Sequence, residues 1–149
     1  MRTEDEEVTS FAPGTRIVLE NLRTESEIVR VRREGVHVLE VDLRDWSDRL
    51  LDALAVELER LGAEVRFGDA STHAYPEPRL RLDLAHMEFP RRDGSGNAVL
   101  IAQVSSLPDG YSRRLASRGA ATFTEAYQQI VRGVADDPRL REWLATRTE

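Results

Sequence analysis

The stretch Asp45 to Leu61 (DWSDRLLDALAVELERL) constrains this chain more than any other. Leu50, Leu51, Leu54, Leu58 and Leu61 recur at spacings of three and four, which places them on one face of a 3.6-residue helix. Ala55 and Val56 widen the stripe, while Asp48, Asp52, Glu59 and Arg60 fall mostly elsewhere, as a solvated face requires. Asp45 suits the N-cap, because its carboxylate can accept from the free amides of the first turn; Asp48 then sits near the positive end of the helix dipole. Gly62 follows the last leucine and can take the left-handed conformation that commonly ends a helix. Burying five leucines is worth roughly 1.5–3 kcal/mol each before entropy is subtracted. Such a helix needs a sheet or a second helix over its apolar face.

The flanking segments supply that sheet. Thr15–Leu22 (TRIVLENL) reads as a first strand around Ile17, Val18 and Leu19. Ile28–Arg32 alternates, Gly35 interrupts, and Val36–Leu43 resumes with β-branched residues, so two strands joined by a tight turn at 33–35 are predicted. Ala63–Phe67 is a short strand, and 68–78 a polar loop. Arg79–Phe89 (RLRLDLAHMEF) alternates strongly, with Leu80, Leu82 and Leu84 on one side; the parity then flips at Ala85, Met87 and Phe89. Either a bulge near Ala85 shifts the register, or the end of this strand is covered on both faces. RRDGSGN (91–97) carries an Asp-Gly hairpin signal, Ala98–Ser105 is nearly continuous in apolar residues and therefore central, and Pro108-Asp109-Gly110 turns into a weaker edge strand over 111–118. Those three strands make an antiparallel meander.

Thr122-Phe123-Thr124-Glu125 has the spacing of a capping box, opening a helix over about 122–136. Asp137-Pro138 then restarts the chain as cap and first residue of a terminal helix, about 138–146, with Leu140, Trp143 and Leu144 apolar. Residues 1–14, with Glu4, Asp5, Glu6 and Glu7, form an acidic lead-in expected to be mobile. The remainder, 15–149, is expected to be a single α+β domain: an antiparallel or mixed sheet with the long helix and the C-terminal helix pair packed on one face. A chain of 149 residues is long enough to bury such a core. Trp46 and Trp143 are expected to cover the ends of the helix–sheet interface.

Composition narrows function by exclusion. The chain holds no cysteine, which removes disulfides, thiolate metal sites and cysteine nucleophiles. No apolar run approaches the ~20 residues of a membrane helix. Net charge is −6, which disfavours nucleic-acid or anionic-membrane binding by the surface as a whole. His37, His73 and His86 lie far apart, and only Glu88 stands at same-face spacing from His86, too few ligands for a metal site. Asp42, Asp45 and Asp48 cluster near the long helix, where capping and surface charge explain them more simply than acid–base work or Mg²⁺. Ser47 lacks the flanking glycines of a nucleophile elbow, and DGSGN lacks the lysine and following helix of a phosphate loop. No catalytic residue, cofactor or metal is assigned.

All 21 basic residues are arginine, for which GC-rich codon usage is the simpler explanation. Their distribution is more telling. Arg30, Arg32, Arg79, Arg81, Arg113 and Arg114 fall on predicted strands, whereas the long helix holds five acids against two arginines. If those strands adjoin, Arg30, Arg32, Arg79, Arg81 and Arg113 give the uncovered sheet face a basic character suited to an anionic partner, a lipid headgroup or RNA. Exposed aromatics for base stacking do not interleave with them, so nucleic acid is disfavoured. A solvated face with arginine stems covering apolar neighbours is the plainer alternative.

RDWSDRLLDALAVELERLG, a short strand, a meander, and GAA leading into FTEAYQQIVRGVADDPRLREWL together resemble the small bacterial envelope lipoproteins of the YajG type. More remotely they are similar to the PqiC-type auxiliary lipoproteins of ABC transport systems. The likeness spans Val36 to Leu144. It implies a non-enzymatic binding or assembly module that faces the periplasm, is tethered by an N-terminal lipid, and engages protein partners or lipid traffic. The sequence departs from that pattern at its start: MRTEDEEVTS is acidic where a signal would be basic and then apolar, and there is no lipobox cysteine. Taken at face value the chain is cytoplasmic; a Met joined to a mature sequence after signal removal would look the same. The alternative reading is a cytoplasmic anion- or RNA-binding domain using the arginines, and a third is a small hydrolase around Asp42, Asp45 and His86.

Overall fold

A computed structural model describes residues 10–68, 78–91, 93, 95–107 and 110–145. In chain order the elements are β1 (Arg16–Asn21), β2 (Ile28–Glu34), β3 (His37–Asp42), α1 (Leu43–Arg60), β4 (Glu64–Gly68), β5 (Arg79–Glu88), β6 (Val99–Leu107), β7 (Ser112–Ala116), α2 (Phe123–Ala135) and α3 (Pro138–Ala145). Five strands form one sheet in the order β4-β1-β5-β6-β7, with β1 parallel to both neighbours and β5-β6-β7 an antiparallel meander. β2 and β3 form a separate antiparallel ribbon. The fold is α+β, and its main sheet is mixed. α1 lies over β1, β5 and β4, and α2 lies beside it over β6 and β7.

The leucine stripe organises this layout. Leu50, Leu51, Leu54, Leu58 and Leu61 are buried in one core with Ile17, Leu19, Leu80, Leu82, Leu84, Leu100 and Val104. Ala55 joins them, but Val56 faces solvent rather than widening the stripe. The helix also begins earlier than the Asp45 cap predicts: the N-cap is Asp42. Its Oδ1 accepts from the Arg44 and Glu27 amides, both at 3.0 Å, and its Oδ2 from the Ser26 hydroxyl. Asp42 therefore caps α1 and ties down the loop leading into β2, which local spacing cannot reveal. The hydrogen bond from Ser26, then that from the Glu27 amide, holds the Asp42 carboxyl below its ordinary value.

The far end of α1 closes as a Schellman motif. The Gly62 amide donates to Glu59 O and the Ala63 amide to Leu58 O, both at 3.0 Å, with Gly62 at φ 102°. Gly62→Ala is expected to lower stability by about 1–2 kcal/mol, the cost of a Cβ on left-handed backbone. An unchanged urea midpoint for that variant would mean the helix end does not need the motif.

A bulge resolves the parity flip in β5. The register against β6 shifts between Leu84 and His86, so Ala85 is the extra residue. Met87 then returns to the core face opposite Leu100. Ser47 of α1 is buried beside the bulge, and its hydroxyl accepts the Leu84 amide at 3.2 Å. β6 is interior as predicted, and β7 is an edge strand. Thr122 caps α2 by accepting the Glu125 amide, while the Glu125 carboxylate reaches back to the Ala121 amide, a capping box displaced by one residue. Asp137 caps α3 as predicted, accepting the Arg139 amide at 2.9 Å.

The end of the acidic lead-in belongs to the domain. Phe11 is buried, its amide donates to Leu61 O at 2.8 Å, and the Arg141 guanidinium lies 4.2 Å from its ring centroid. One phenylalanine in a polar stretch has no periodicity, so its burial is invisible to pattern reading. Residues 1–9 lie outside the described residues, as do His73 and most of the 68–78 loop.

Candidate functional site

The five arginines singled out by the sequence occupy three separate environments. In β1, Ile17 and Leu19 face the core, so Val18 and Glu20 point to the opposite side of the sheet, where register places them beside Arg79 and Arg81. Glu20 Oε2 accepts from Arg79 Nη1 at 2.8 Å and its Oε1 from Arg81 Nε at 2.7 Å. Glu20 and Arg79 are both buried, while Arg81 is partly exposed. Nearby on β5, Asp83 pairs with Arg23 at 2.7 Å. Arg113 lies opposite Val104 and points toward the helices, donating to Gly133 O at 2.8 Å and to Asp137 Oδ2 at 3.0 Å. Arg30 and Arg32 are on the ribbon; Arg30 is exposed opposite Glu40, and Arg32 donates to Pro90 O and pairs with Glu34. Of the five, Arg79 and Arg81 share a partner, and the Glu20 carboxylate offsets one of their two charges.

The remaining polar candidates are held by structural bonds. Asp42 caps α1, Ser47 serves the bulge, and Asp48 accepts from Asn21 Nδ2 at 2.8 Å. Asp45 is exposed in the first turn of α1. His86 shares a 2.7 Å hydrogen bond with the exposed Glu88, and the hydrogen bonds of Asp42 go to Ser26, Glu27 and Arg44 instead. Among the described residues no group of three His, Cys, Asp or Glu side chains stands close enough to hold a metal ion. Also among them, no helix is long and apolar enough to cross a membrane.

The ribbon has the opposite character. Val29, Val31, Leu39 and Val41 pack toward the core, as period-two alternation requires. On the outside remain Ile28, 59 % exposed, and Val38, 44 % exposed, and at the tip Val36 is 92 % exposed. Gly35 turns the chain there at φ 62°. Arg30, Arg33, His37 and Glu40 stand among these aliphatic side chains. The base is fixed: the Leu43 amide donates to Glu27 O at 2.9 Å and the Phe89 amide to Val31 O at 3.0 Å. Among the described residues β3 pairs with β2 alone, leaving its outer edge open. A half-exposed aromatic group, Trp46 with Phe89, Phe123 and Tyr127, packs at the N-terminal ends of α1 and α2, and Arg49 covers the Trp46 ring at 4.6 Å. Burial raises the Tyr127 hydroxyl well above its ordinary value.

Sequence reading also missed a network at the start of α3. The Tyr111 hydroxyl donates to Asp137 Oδ2 at 2.7 Å, the same oxygen that accepts from Arg113. Burial raises the Asp137 carboxyl, but the Tyr111 hydroxyl, the Arg139 amide and Arg113 outweigh it and hold the group below 3.8. Burial and the Asp137 hydrogen bond push the Tyr111 hydroxyl up. The unfolded chain therefore binds a proton more readily than the native one, so this contribution to stability is present above pH 3.8 and is lost as pH falls through the depressed native value. Asp137→Asn is expected to cost about 1–3 kcal/mol at pH 7. The gap between the variant and the parent should narrow in urea melts below pH 4. A gap independent of pH would remove the carboxylate from this role. The signal available in sequence was Asp137-Pro138 as a helix start; the partners Tyr111 and Arg113 carry no mark of it.

No protein-family model matches the sequence, and no curated protein matches it. A solved Helicobacter pylori structure described as a neuraminyllactose-binding hemagglutinin homolog is similar at a TM-score of 0.40 and 9% sequence identity, over 92% of this chain and 91% of that one.

Proposed function

We propose that this chain is a non-enzymatic binding or assembly module of the bacterial cell envelope that engages a protein partner through the β2–β3 ribbon. The observation that carries this reading is the set Ile28, Val36 and Val38, aliphatic side chains left in solvent on a ribbon whose inner face is anchored to the core. Exposed aliphatic groups spaced along one ribbon from its base at Ile28 to its tip at Val36, among charges of both signs, suit a protein surface better than a uniformly anionic headgroup layer. The YajG-type resemblance supplies the compartment. The position of the ribbon also fits a tether: it adjoins the first residue of α1, whereas the lead-in meets the helix at Leu61. Eighteen helical residues separate the two by about 27 Å, so an anchor upstream of residue 10 would hold the ribbon away from its attachment point.

Two measurements on the full-length native gene product test the proposal. Fractionation with and without globomycin should find it with membranes, with an unprocessed precursor accumulating under the drug; a soluble product starting at Met1 would end the envelope reading. A photo-crosslinking residue at position 36 should form a discrete protein adduct in cells, while one at the also exposed position 56 on α1 should not. No adduct at 36, or the same pattern at both positions, would remove the ribbon as the binding surface.

A further inference from the structure

A second site, independent of the ribbon, lies at the opposite part of the sheet, where β6 ends and β7 begins. A depression of about 440 Å³ there is lined by Ser105, Ser106, Gly110, Tyr111, Ser112 and Arg139. Two hydrogen bonds tie its floor: the Ser106 amide donates to Tyr111 O, and the Tyr111 amide returns a bond to Ser106 Oγ, both at 2.9 Å. Ser105 and Ser112 are paired across the β6–β7 ladder, so both project to the side of the sheet away from the helices. Ser112 Oγ accepts from Gln103 Nε2 at 3.2 Å, which leaves the hydroxyl hydrogen available to a ligand.

Arg139 gives the depression its charge. Its amide is fixed by Asp137 at the start of α3, its Nη2 donates to Ser112 O at 3.3 Å, and its guanidinium lies 5.9 Å from the Tyr111 ring centroid. Among the described residues no carboxylate pairs with that guanidinium. Asp137, two residues before it in sequence, is buried and committed through Oδ2 to Tyr111 and Arg113. The contrast with Arg79, Arg81 and Arg113 is direct, since each of those is bonded to a carboxylate.

We propose that this depression binds a small hydroxylated ligand carrying one oxyanion, the oxyanion on Arg139 and the ligand hydroxyls on Ser105 and Ser112. A guanidinium offers a planar fork of donors that matches two oxygens of a carboxylate or phosphate. Serine hydroxyls both donate and accept, as a polyol requires, and the volume lies within the range of small-molecule sites. The site is open to solvent on one side and offers few polar groups, so weak affinity is expected, with dissociation constants on the order of 1 mM.

The test titrates glucuronate, glucose 6-phosphate and neutral glucose into the isotopically labelled full chain, followed by amide and arginine side-chain NMR. The expected result is saturable shifts at Gly110, Ser112 and the Arg139 side chain with at least one of the two anions and not with glucose. Binding of one anion alone identifies the oxyanion, and binding of both makes the shared charge sufficient. Arg139→Gln should weaken the effect about ten-fold. Ser105→Val, at a half-buried position on the sheet surface, should weaken it without changing charge, and covers the case in which the arginine variant loses its fold. Absence of shifts with either anion, equal response to glucose, or shifts unaffected by both substitutions would overturn the proposal.

Discussion

Leu54→Ala is expected to destabilise the protein by about 2–5 kcal/mol in urea unfolding, the combined loss of transfer free energy and a residual cavity. Leu54 is almost fully buried midway along α1, and the same helix face carries Leu50, Leu51 and Leu58 into contact with the core contributed by β1 and β5. The core it joins includes side chains of β1 and β5, strands that hydrogen bonds hold in register, so the space closes only in part. That places the expected loss above what a surface alanine substitution produces. Val56→Ala on the same helix supplies the control: Val56 is exposed, and the change should stay within about 0.5 kcal/mol. A loss below 1 kcal/mol at Leu54 would mean that α1 does not organise the core.

The difference between those two positions also marks how far the sequence can be read. Period and turn chemistry are local, and what depends on them alone came through: the leucine stripe of α1, the Gly62 helix end, the meander, the edge position of β7, and the caps at Thr122 and Asp137. The bulge at Ala85 was one of two readings of a parity flip, and the buried Ser47 hydroxyl on the Leu84 amide was beyond both. Where a residue's role is set by a partner distant in sequence, the local signal pointed elsewhere. Asp45 has the composition of a cap, yet Asp42 takes the position because Ser26 and Glu27 reach it through the β2–β3 ribbon. The strand arginines read as one basic face; alternation correctly separated Arg79 and Arg81 from the leucines of β5 but carried no information on Glu20, 59 residues before Arg79. Arg113 fell on the other side of the sheet because β7 pairs with Val104 opposite it. The Arg139 depression was missed for the same reason, since it joins the end of β6 and the start of β7 to a helix start that nothing in the sequence connects.

Glu20→Ala is expected to cost about 3–5 kcal/mol, the range for removing one member of a buried ion pair. The side chain of Glu20 is 0% exposed and that of Arg79 is 3% exposed, so the guanidinium would keep its desolvation while losing this carboxylate. Arg81, the other partner, is partly exposed and can turn toward water, so Arg81→Ala should cost clearly less than Glu20→Ala. The size of the Glu20→Ala effect is not the net worth of the pair. Attraction between the charges is largely consumed by the loss of hydration, and well-packed apolar replacements of similar volume are often neutral or stabilising. Glu20→Leu combined with Arg79→Met should therefore recover much of the loss seen in Glu20→Ala. A double-mutant cycle of Glu20→Ala and Arg79→Ala should give a coupling above about 1 kcal/mol, as direct contacts do. Additive effects, or a Glu20→Ala loss under 1 kcal/mol, would mean that water reaches Arg79. In that case the cation would be available to an anion after all, and the basic-face reading of β5 would regain support that the present geometry withholds.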